Sequence, residues 1–348
     1  MKFVKFPHID QFRQVLKDLL YYKEHDNNFP DVVEFTGTVK LHGTNAGVVL
    51  DRDGVLTTQA RRGTITVDKD NAGFAGFISE PDMTNFLTTK LYSIFILEQN
   101  PNAQGVALFG EFAGKTIQKG VAICQLEKFF APFAIALVFK NDTDSIEDEF
   151  VKQFLSADCL KDFENSDLRI FPVTMAQTFS IKVDLTDNVQ VASAVEQMIE
   201  ITNKVEEECP FAKLFDISGV GEGVVYHANY NNKHFIFKVK GEKHSVSKVK
   251  KLASVNPEEV KAINDFIDYA VTENRLQQGL EVVATDNNVE QNNLEFNHIS
   301  GFVKFMVADI MQEETDTIKA NNLPEKDLIS QIKAKSSKFY RDFMQNKS

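Results

Sequence analysis

The sequence contains no tryptophan and only three cysteines, Cys124, Cys159 and Cys209, which lie far apart. An odd number of separated cysteines, without a Cys-x-x-Cys or His-Cys cluster, argues against a disulfide framework and against a zinc site. The longest apolar run, 129–139, is too short to span a bilayer, and the N-terminus lacks the apolar segment of a signal peptide. We therefore expect a cytoplasmic protein that does not bind membranes.

The chain has 50 acidic residues but only 38 lysines and arginines, so its net charge is -12. Such a chain is not expected to coat nucleic acid non-specifically, since phosphate contacts require lysine and arginine. Its lysines nevertheless concentrate in segment 233–251, where Glu242 is the single acid. They are Lys233, Lys238, Lys240, Lys243, Lys248, Lys250 and Lys251. The cluster predicts a local phosphate-binding track, although a solvated lysine-rich surface would have the same composition.

The length of 348 residues exceeds that of a usual single-core protein and predicts two domains. Strand and helix patterns alternate up to about residue 250, and only helical patterns follow. Predicted strands are 32–35, 46–50, 55–58, 106–112, 222–226 and 234–240, and predicted helices are 10–22 with Asp10 as cap, 84–97, 189–205, a helix starting at 256, 302–314 and 324–344. The acidic segment 141–168 predicts a surface insertion with a short helix. We therefore expect an α+β domain over 1–250 and a small all-helical domain over 251–348.

A candidate nucleophile lies in the stretch Val39-Lys40-Leu41-His42-Gly43-Thr44-Asn45, between the first two predicted strands. Gly43 lets a ligand approach the backbone, and His42 and Asn45 add hydrogen-bonding groups beside the amine. Because an amine attacks only when neutral, Lys40 would need burial, neighbouring cations or a metal to lower its proton affinity. On its own the pattern also fits an ordinary surface lysine in a strand loop.

Arginines and one acid come next in the order of the chain. Arg61 and Arg62 stand at the end of a predicted strand, where they could also act as edge-strand solubilisers. Glu111 stands near the end of an apolar strand. Since strand interiors rarely hold an acid without a partner, Glu111 is either at the mouth of the strand or functional.

The last charged positions of the predicted sheets are Glu222, directly before a glycine, and the alternate lysines Lys238 and Lys240. The period of two in a strand sends both lysines to one face. A carboxylate with two lysines suits a site for a metal and phosphate, although alternate lysines are also common on sheet surfaces.

Taken in order, these positions resemble the serial motif set of covalent nucleotidyltransferases. The five motifs are Lys40-Leu41-His42-Gly43-Thr44-Asn45, Arg61-Arg62-Gly63, Phe109-Gly110-Glu111, Glu222-Gly223-Val224-Val225 and Lys238-Val239-Lys240. Within that superfamily the chain is similar to the RNA ligase 2 family, a phage type related to kinetoplastid RNA-editing ligases. His42 points to RNA ligases, since DNA ligases and capping enzymes usually carry aspartate there. The resemblance implies an adenylyltransferase domain of ATP-grasp-like antiparallel sheets with helices, followed by a helical C-terminal domain.

The resemblance also implies a role for each matching residue. Lys40 would carry AMP covalently, and Lys238 and Lys240 would join it as catalytic residues. The nucleotide-binding residues would be His42, Asn45, Arg61, Glu111, Phe133 and Glu222, with Glu222 also meeting Mg2+ or Mn2+ and Phe133 stacking on adenine. The residues facing nucleic acid would be Arg62, Arg275 and Asp309. Phe133 could instead be a core residue, and Arg275 and Asp309 could instead form an ion pair within the helical domain.

The activity implied is that of an ATP-dependent RNA ligase, which seals 3′-hydroxyl and 5′-phosphate ends. Its expected substrate is a nick in duplex RNA or in an RNA:DNA hybrid, and the protein is expected to act as a monomer in the cytoplasm, the host's if the source is viral. An ATP-dependent DNA ligase of the same fold and a non-catalytic RNA-binding relative remain open. His42 and the helical C-terminus argue against the first, because DNA ligases usually append an OB-fold, and five intact motifs argue against the second.

Overall fold

The structure, a computed structural model, describes residues 3–70, 72–98, 100–141, 149–231, 233–241, 263–287, 289–320 and 323–347. The strands are β1 (Val32–Lys40), β2 (Thr44–Asp51), β3 (Leu56–Ala60), β4 (Gly63–Thr64), β5 (Gly105–Ala113), β6 (Phe129–Lys140), β7 (Phe150–Phe154), β8 (Phe179–Asp184), β9 (Gly223–Tyr230) and β10 (Lys233–Lys240). The α-helices are α1 (Phe12–His25), α2 (Phe74–Ser79), α3 (Pro81–Leu97), α4 (Asn188–Glu207), α5 (Pro210–Lys213), α6 (Ile263–Ala270), α7 (Glu273–Asp286), α8 (Ile299–Glu313), α9 (Thr315–Ala320) and α10 (Glu325–Asn346).

The strands form two antiparallel sheets, which confirms the predicted α+β class. The first sheet has the order β10-β9-β1-β8, and the second has the order β4-β3-β2-β5-β6-β7. β1 and β2 are consecutive in sequence but belong to different sheets, so the segment 41–43 between them crosses from one sheet to the other. The first motif therefore lies where the two sheets meet.

Burial along β1 explains why its end can hold a functional lysine. Val33 and Phe35 are buried and alternate with the exposed Val32 and Glu34, so the first half of the strand has one wet face. From residue 37 onward the strand is buried on both faces, and it delivers the half-buried Lys40 at its end. The strand thus carries a charged side chain into a region that the surrounding core shields from water.

Separate hydrophobic cores support the two sheets and the helices after residue 263. The first sheet packs with α1 and α4 around Phe12, Phe35, Met198 and Phe237, and one face of the second packs against α2 and α3. A further core joins α6, α7, α8 and α10. We call the described helices α6–α10 the helical unit; the domain division at 250/251 stays a prediction, since residues 242–262 lie outside the described ranges.

The predicted cap of the first helix is wrong. The helix begins after Gln11, whose N–H donates to the side-chain oxygen of Gln14 at 2.9 Å. Asp10 instead pairs with the edge of β10, where its N–H donates to Ile236 O and its carbonyl accepts from the N–H of Lys238. Because its backbone is used as a strand residue, Asp10 cannot start the helix.

One further prediction changes with the structure, and two others are not tested by it. In the acidic segment, residues 150–154 form β7, an edge strand of the second sheet, and 157–163 form a short 3-10 helix. The helix predicted to start at 256 and the lysines at 243, 248, 250 and 251 lie outside the described residues. Among the helices that the structure describes, none combines the length and apolarity needed to cross a membrane.

Candidate active site

The site is built around Gly223, the first residue of β9, which pairs with the last residues of both neighbouring strands. Lys40 of β1 lies opposite Gly223 on one side, and Lys240 of β10 lies opposite it on the other. A Cβ at Gly223 would stand 2.2 Å from Val239 O, so the three strand ends can approach this closely only with glycine there. This register brings two lysines that are distant in sequence to the same end of the first sheet.

Glu222, which directly precedes Gly223, joins these lysines through one buried carboxylate. Its Oε2 lies 2.7 Å from Lys40 Nζ, and its Oε1 lies 3.0 Å from Lys240 Nζ. His42 Nδ1 is 3.3 Å from the same Oε2. Burial alone would raise the pKa of Glu222, but the charges of Lys40 and Lys240 outweigh it and hold this pKa well below its ordinary value. The carboxylate is therefore an anion at neutral pH.

Lys240 shows the complementary effect. Burial would lower the pKa of Lys240, but the adjacent Glu222 carboxylate raises it above the ordinary value. The result is a half-buried group of cations and one anion at the mouth of the first sheet. Such a group offers positive charge to an incoming phosphate once the carboxylate takes another partner.

Glu111 of β5 approaches Lys40 from the second sheet. Its Oε1 accepts a hydrogen bond from the N–H of Gly43 at 2.9 Å, and Asn45 is its neighbour on the adjoining strand β2. A Cβ at Gly43 would stand 2.3 Å from Phe112 O, so the glycine permits this close crossing. Burial raises the pKa of Glu111, as does the Glu222 charge, while Lys40 acts in the opposite direction.

Lys238 leaves the strand on the same side as Lys240 but takes a different partner. Its Nζ lies 2.6 Å from Glu313 Oε1, at the C-terminal end of α8 in the helical unit. Although burial opposes it, the charges of Lys238 and Arg275 depress the pKa of Glu313 strongly. One of the three predicted catalytic lysines is thus held by the helical unit in this structure.

Arg275, predicted to face nucleic acid, is fully buried inside the helical unit. Its Nε lies 3.0 Å from Asp309 Oδ2, an ion-pair distance at which the N–H is not aimed at the oxygen. The guanidinium nitrogen Nη2 of Arg275 lies 3.0 Å from Glu313 Oε2 and 3.3 Å from Glu314 Oε1. The ion pair of Arg275 and Asp309, one of the two interpretations of the sequence, is therefore present. The Arg275 side chain is not accessible to RNA in this structure. A role of Arg275 or Asp309 in RNA binding stays a prediction.

The helical unit also contacts α1 through the same acids. Arg13 donates to Glu314 Oε2 at 2.8 Å and to Glu313 O at 2.7 Å. Together with Lys238 these contacts form a buried cluster of charges between the sheets and the helical unit. Removing one partner of a buried ion pair is strongly destabilising, so this contact fixes the position of α8.

The arginines of the second motif lie in the turn after β3 and are exposed. Arg62 forms a close ion pair with Asp286, the last residue of α7. Arg61 lies near enough to His8 to help lower its pKa, although burial is the main cause. The choice between Arg61 and Arg62 as the nucleotide-contacting residue stays a prediction.

Phe133 lies at a β-bulge, where β6 has one residue more than β5 between Ala134 and Pro132. Its half-buried ring packs edge-on against Phe6, with the centroids 5.1 Å apart. A bulge re-aims a side chain, which suits a ring that stacks on a ligand, but the Phe6 contact also suits a core residue. Adenine stacking by Phe133 stays a prediction.

Glu281 and Phe6 are among the residues of this site that the sequence did not reveal. Glu281 of α7 places Oε1 4.0 Å from His42 Nε2, and Phe6 packs on Phe133. Neither belongs to a motif, and each reaches the site from a distant part of the chain. A helix acid and an N-terminal phenylalanine carry no local signal of such contacts.

Comparison with known proteins identifies the family of these elements. A family model described as RNA ligase matches residues 33–240, which include every strand end that builds the site. Among the curated proteins, none matches the chain.

Solved structures of RNA ligase from Naegleria gruberi are similar to this chain. A mutant with AMP and Mn matches at 17% identity and a TM-score of 0.41, covering 70% of this chain and 58% of that one. The enzyme with pyrophosphate gives the same values, and a mutant with ATP and Mn matches at 16% identity and a TM-score of 0.40. This chain therefore spans less than two thirds of the Naegleria chains that it matches.

Proposed function

Because the chain belongs to the RNA ligase family, we propose that it is an ATP-dependent RNA ligase that joins a 3′-hydroxyl to a 5′-phosphate. The observation that supports this best is the cluster of Lys40, Lys240 and His42 around the buried Glu222. A nucleophilic lysine beside a second fixed cation is the arrangement that transfer of a nucleotidyl group requires.

In the first step, Lys40 Nζ attacks the α-phosphorus of ATP. A P–N bond forms, the bond between the α-phosphorus and pyrophosphate breaks, the nitrogen releases a proton to water, and AMP stays on Lys40. Glu222 Oε2 holds Lys40 Nζ at 2.7 Å, so this contact must break before the nitrogen can reach the phosphorus. Lys240, 3.0 Å from the same carboxylate, then stabilises negative charge on the transferring phosphate, and Lys238 does so once Glu313 releases it.

Divalent metal binding fits one residue of this site. The described residues contain no group of three or more metal-ligating side chains that could form a closed cage. Mg2+ is usually held by one or two carboxylates together with phosphates and water, and Glu222 is the carboxylate available for this. When bound, Mg2+, or Mn2+ in its place, would neutralise charge on the triphosphate.

The nucleotide would be bound between the two sheets. Glu111 and Asn45, adjacent on β5 and β2, would bind the ribose side, and His42 and Arg61 would contact the phosphates. Phe133 would stack on adenine from its bulge in β6. These roles follow from the motif to which each residue belongs, and replacing each residue with alanine would test them.

In the second step a 5′-phosphate of the nucleic acid attacks the lysyl-AMP, which frees Lys40 and gives an AMP-capped end. An adjacent 3′-hydroxyl then displaces AMP and forms the phosphodiester. We propose a nick in duplex RNA or in an RNA:DNA hybrid as the substrate, with Arg62 near the phosphate. We further propose a phage-type enzyme that acts as a cytoplasmic monomer, with domains 1–250 and 251–348.

Incubation with α-labelled ATP and magnesium, followed by denaturing electrophoresis and acid treatment, tests the first step. We expect an acid-labile label on the wild type and on Lys182→Ala, an exposed lysine of β8 that serves as control, but not on Lys40→Ala. Absence of label from the wild type with either metal would refute the ligase.

Two further assays of the wild-type protein distinguish the remaining candidate functions. Sealing of matched nicks with RNA or DNA at the 3′-hydroxyl separates an RNA ligase from a DNA ligase of this fold. RNA binding without any adenylate on Lys40 would identify a non-catalytic relative.

A further inference from the structure

Helix α7 of the helical unit reaches the candidate site with two acids from its C-terminal half. Glu281 Oε1 lies 4.0 Å from His42 Nε2, and Asp286 forms a close ion pair with Arg62. Neither acid belongs to the motifs of the sheet region. Both reach residues to which the proposed function gives phosphate contacts.

The residues that Glu281 and Asp286 contact indicate which ligand groups these two acids could stand in for. His42 belongs to the first motif and Arg62 to the second, and the proposed function gives both residues contacts with phosphates. A carboxylate and a phosphate oxygen accept the same hydrogen bonds from an arginine, so an acid can occupy a phosphate position. The chain's own carboxylates therefore take contacts that a polynucleotide would use.

We propose that Glu281 and Asp286 of α7 are internal substitutes for RNA phosphates, which screen the site until a polynucleotide displaces them. This inference rests on the proposed function. The free protein would then be self-inhibited for RNA binding, because the two acids of α7 lie against His42 and Arg62, the residues that would contact RNA.

The two sets of contacts between sheets and helical unit differ in the way that this exchange requires. The α7 pair is exposed, with 59% of the Arg62 side chain and 28% of the Asp286 side chain accessible, so it is weak and open to competition. The α8 contacts are buried, with Glu313 and Glu314 at 4% and 0%. A polynucleotide can therefore displace the carboxylates of Asp286 and Glu281 from their partners while the buried contacts keep the helical unit attached.

Binding of a 5′-phosphorylated nicked RNA duplex to the full chain tests the proposal, measured by fluorescence anisotropy at fixed salt and without ATP or metal. We expect Asp286→Asn to tighten binding about twofold to fivefold, the range for an exposed ion pair. The double variant with Glu281→Gln should tighten it further. The matched control is Asp342→Asn, which removes the same charge from an exposed residue of α10 that pairs with no cation in the described chain; it should change affinity by less than about twofold.

A second comparison separates release of Arg62 from a general change in charge. Adding Arg62→Ala to Asp286→Asn should abolish the gain, because the freed arginine is then missing. Adenylylation of Lys40 by Asp286→Asn should equal that of the wild type. Equal affinities of Asp286→Asn and Asp342→Asn, or a gain that persists without Arg62, would overturn the inference.

The outcomes distinguish this inference from the proposed function. A wild type that seals nicks while Asp286→Asn binds RNA no better leaves the ligase standing and removes the screen. A protein without adenylate on Lys40, in which Asp286→Asn still gains RNA affinity through Arg62, keeps the screen and refutes the ligase. If neither the wild type nor any variant binds the duplex, the screen is also wrong.

Discussion

The sheet region and the helical unit both contribute charged residues to the candidate site, but in different ways. In the sheets, Lys40, Glu222 and Lys240 are brought together by strand register around Gly223. In the helical unit, Arg275 is surrounded by Asp309, Glu313 and Glu314. Glu313 also contacts Lys238 of β10, and Glu314 contacts Arg13 of α1. We propose that the first cluster meets the substrate, whereas the second holds two parts of the chain together.

Removing the central cation of the helical cluster should have the largest effect on stability. Arg275→Met leaves three buried carboxylates facing one another without their shared partner, and we expect a loss of about 3 to 5 kcal/mol in the free energy of unfolding. Urea unfolding measures it. Arg341→Met, at an exposed position of α10, is the control and should change stability by about 0.5 kcal/mol or less. A similar small loss for both variants would mean that the buried cluster does not hold the helical unit.

Removing Glu222, the central anion of the sheet cluster, should have the second-largest effect on stability. Glu222→Gln leaves Lys40 and Lys240 as like charges without their carboxylate, and we expect a loss of about 2 to 4 kcal/mol, since both lysines keep some access to water. Adenylylation should also be lost. Glu207→Gln, at the exposed end of α4, should leave both stability and adenylylation near wild type. A fully active Glu222→Gln would contradict the role given to the carboxylate.

The crossing between the sheets can be tested with one methyl group. Gly43→Ala places a Cβ 2.3 Å from Phe112 O, so the loop after β1 must shift, at a cost of about 1 to 3 kcal/mol. Gly76→Ala in α2 is the control, because nothing lies within 4 Å of its added Cβ and alanine favours a helix. The melting temperature measured by thermal unfolding should therefore fall for Gly43→Ala and stay level or rise for Gly76→Ala. Equal melting temperatures would mean that the crossing between the sheets tolerates a side chain.

The pH dependence of stability gives the smallest effect. Since the folded pKa of Glu222 is depressed, its stabilisation is present above the ordinary value of 4.5 and is lost as pH falls below it, when the unfolded chain binds the proton first. The free energy of unfolding of the wild type, relative to Glu222→Gln, should fall by about 1 kcal/mol per pH unit below that value. Parallel curves for the two proteins between pH 5 and about 3 would show that Glu222 is not depressed.

The two regions also differ in what their sequences reveal. The sequence predicts Lys40, Glu111, Glu222 and Lys240 as site residues because each stands in a motif at or near a strand end, and strand periodicity limits where its side chain can point. Glu281 and the partners of Arg275 follow from how helices dock on one another and on the sheets, and no local pattern encodes that. The cap at Gln11 was missed for the same reason, because the pairing of Asp10 with β10 joins distant segments.

Peptide mass spectrometry after incubation with ATP and divalent metal tests the central claim most directly. We expect one AMP, covalently attached to the tryptic peptide that contains Lys40, and none on that peptide in Lys40→Arg. AMP on another lysine such as Lys240, or no AMP on the wild type under any metal, would contradict the assignment of Lys40 as the nucleophile.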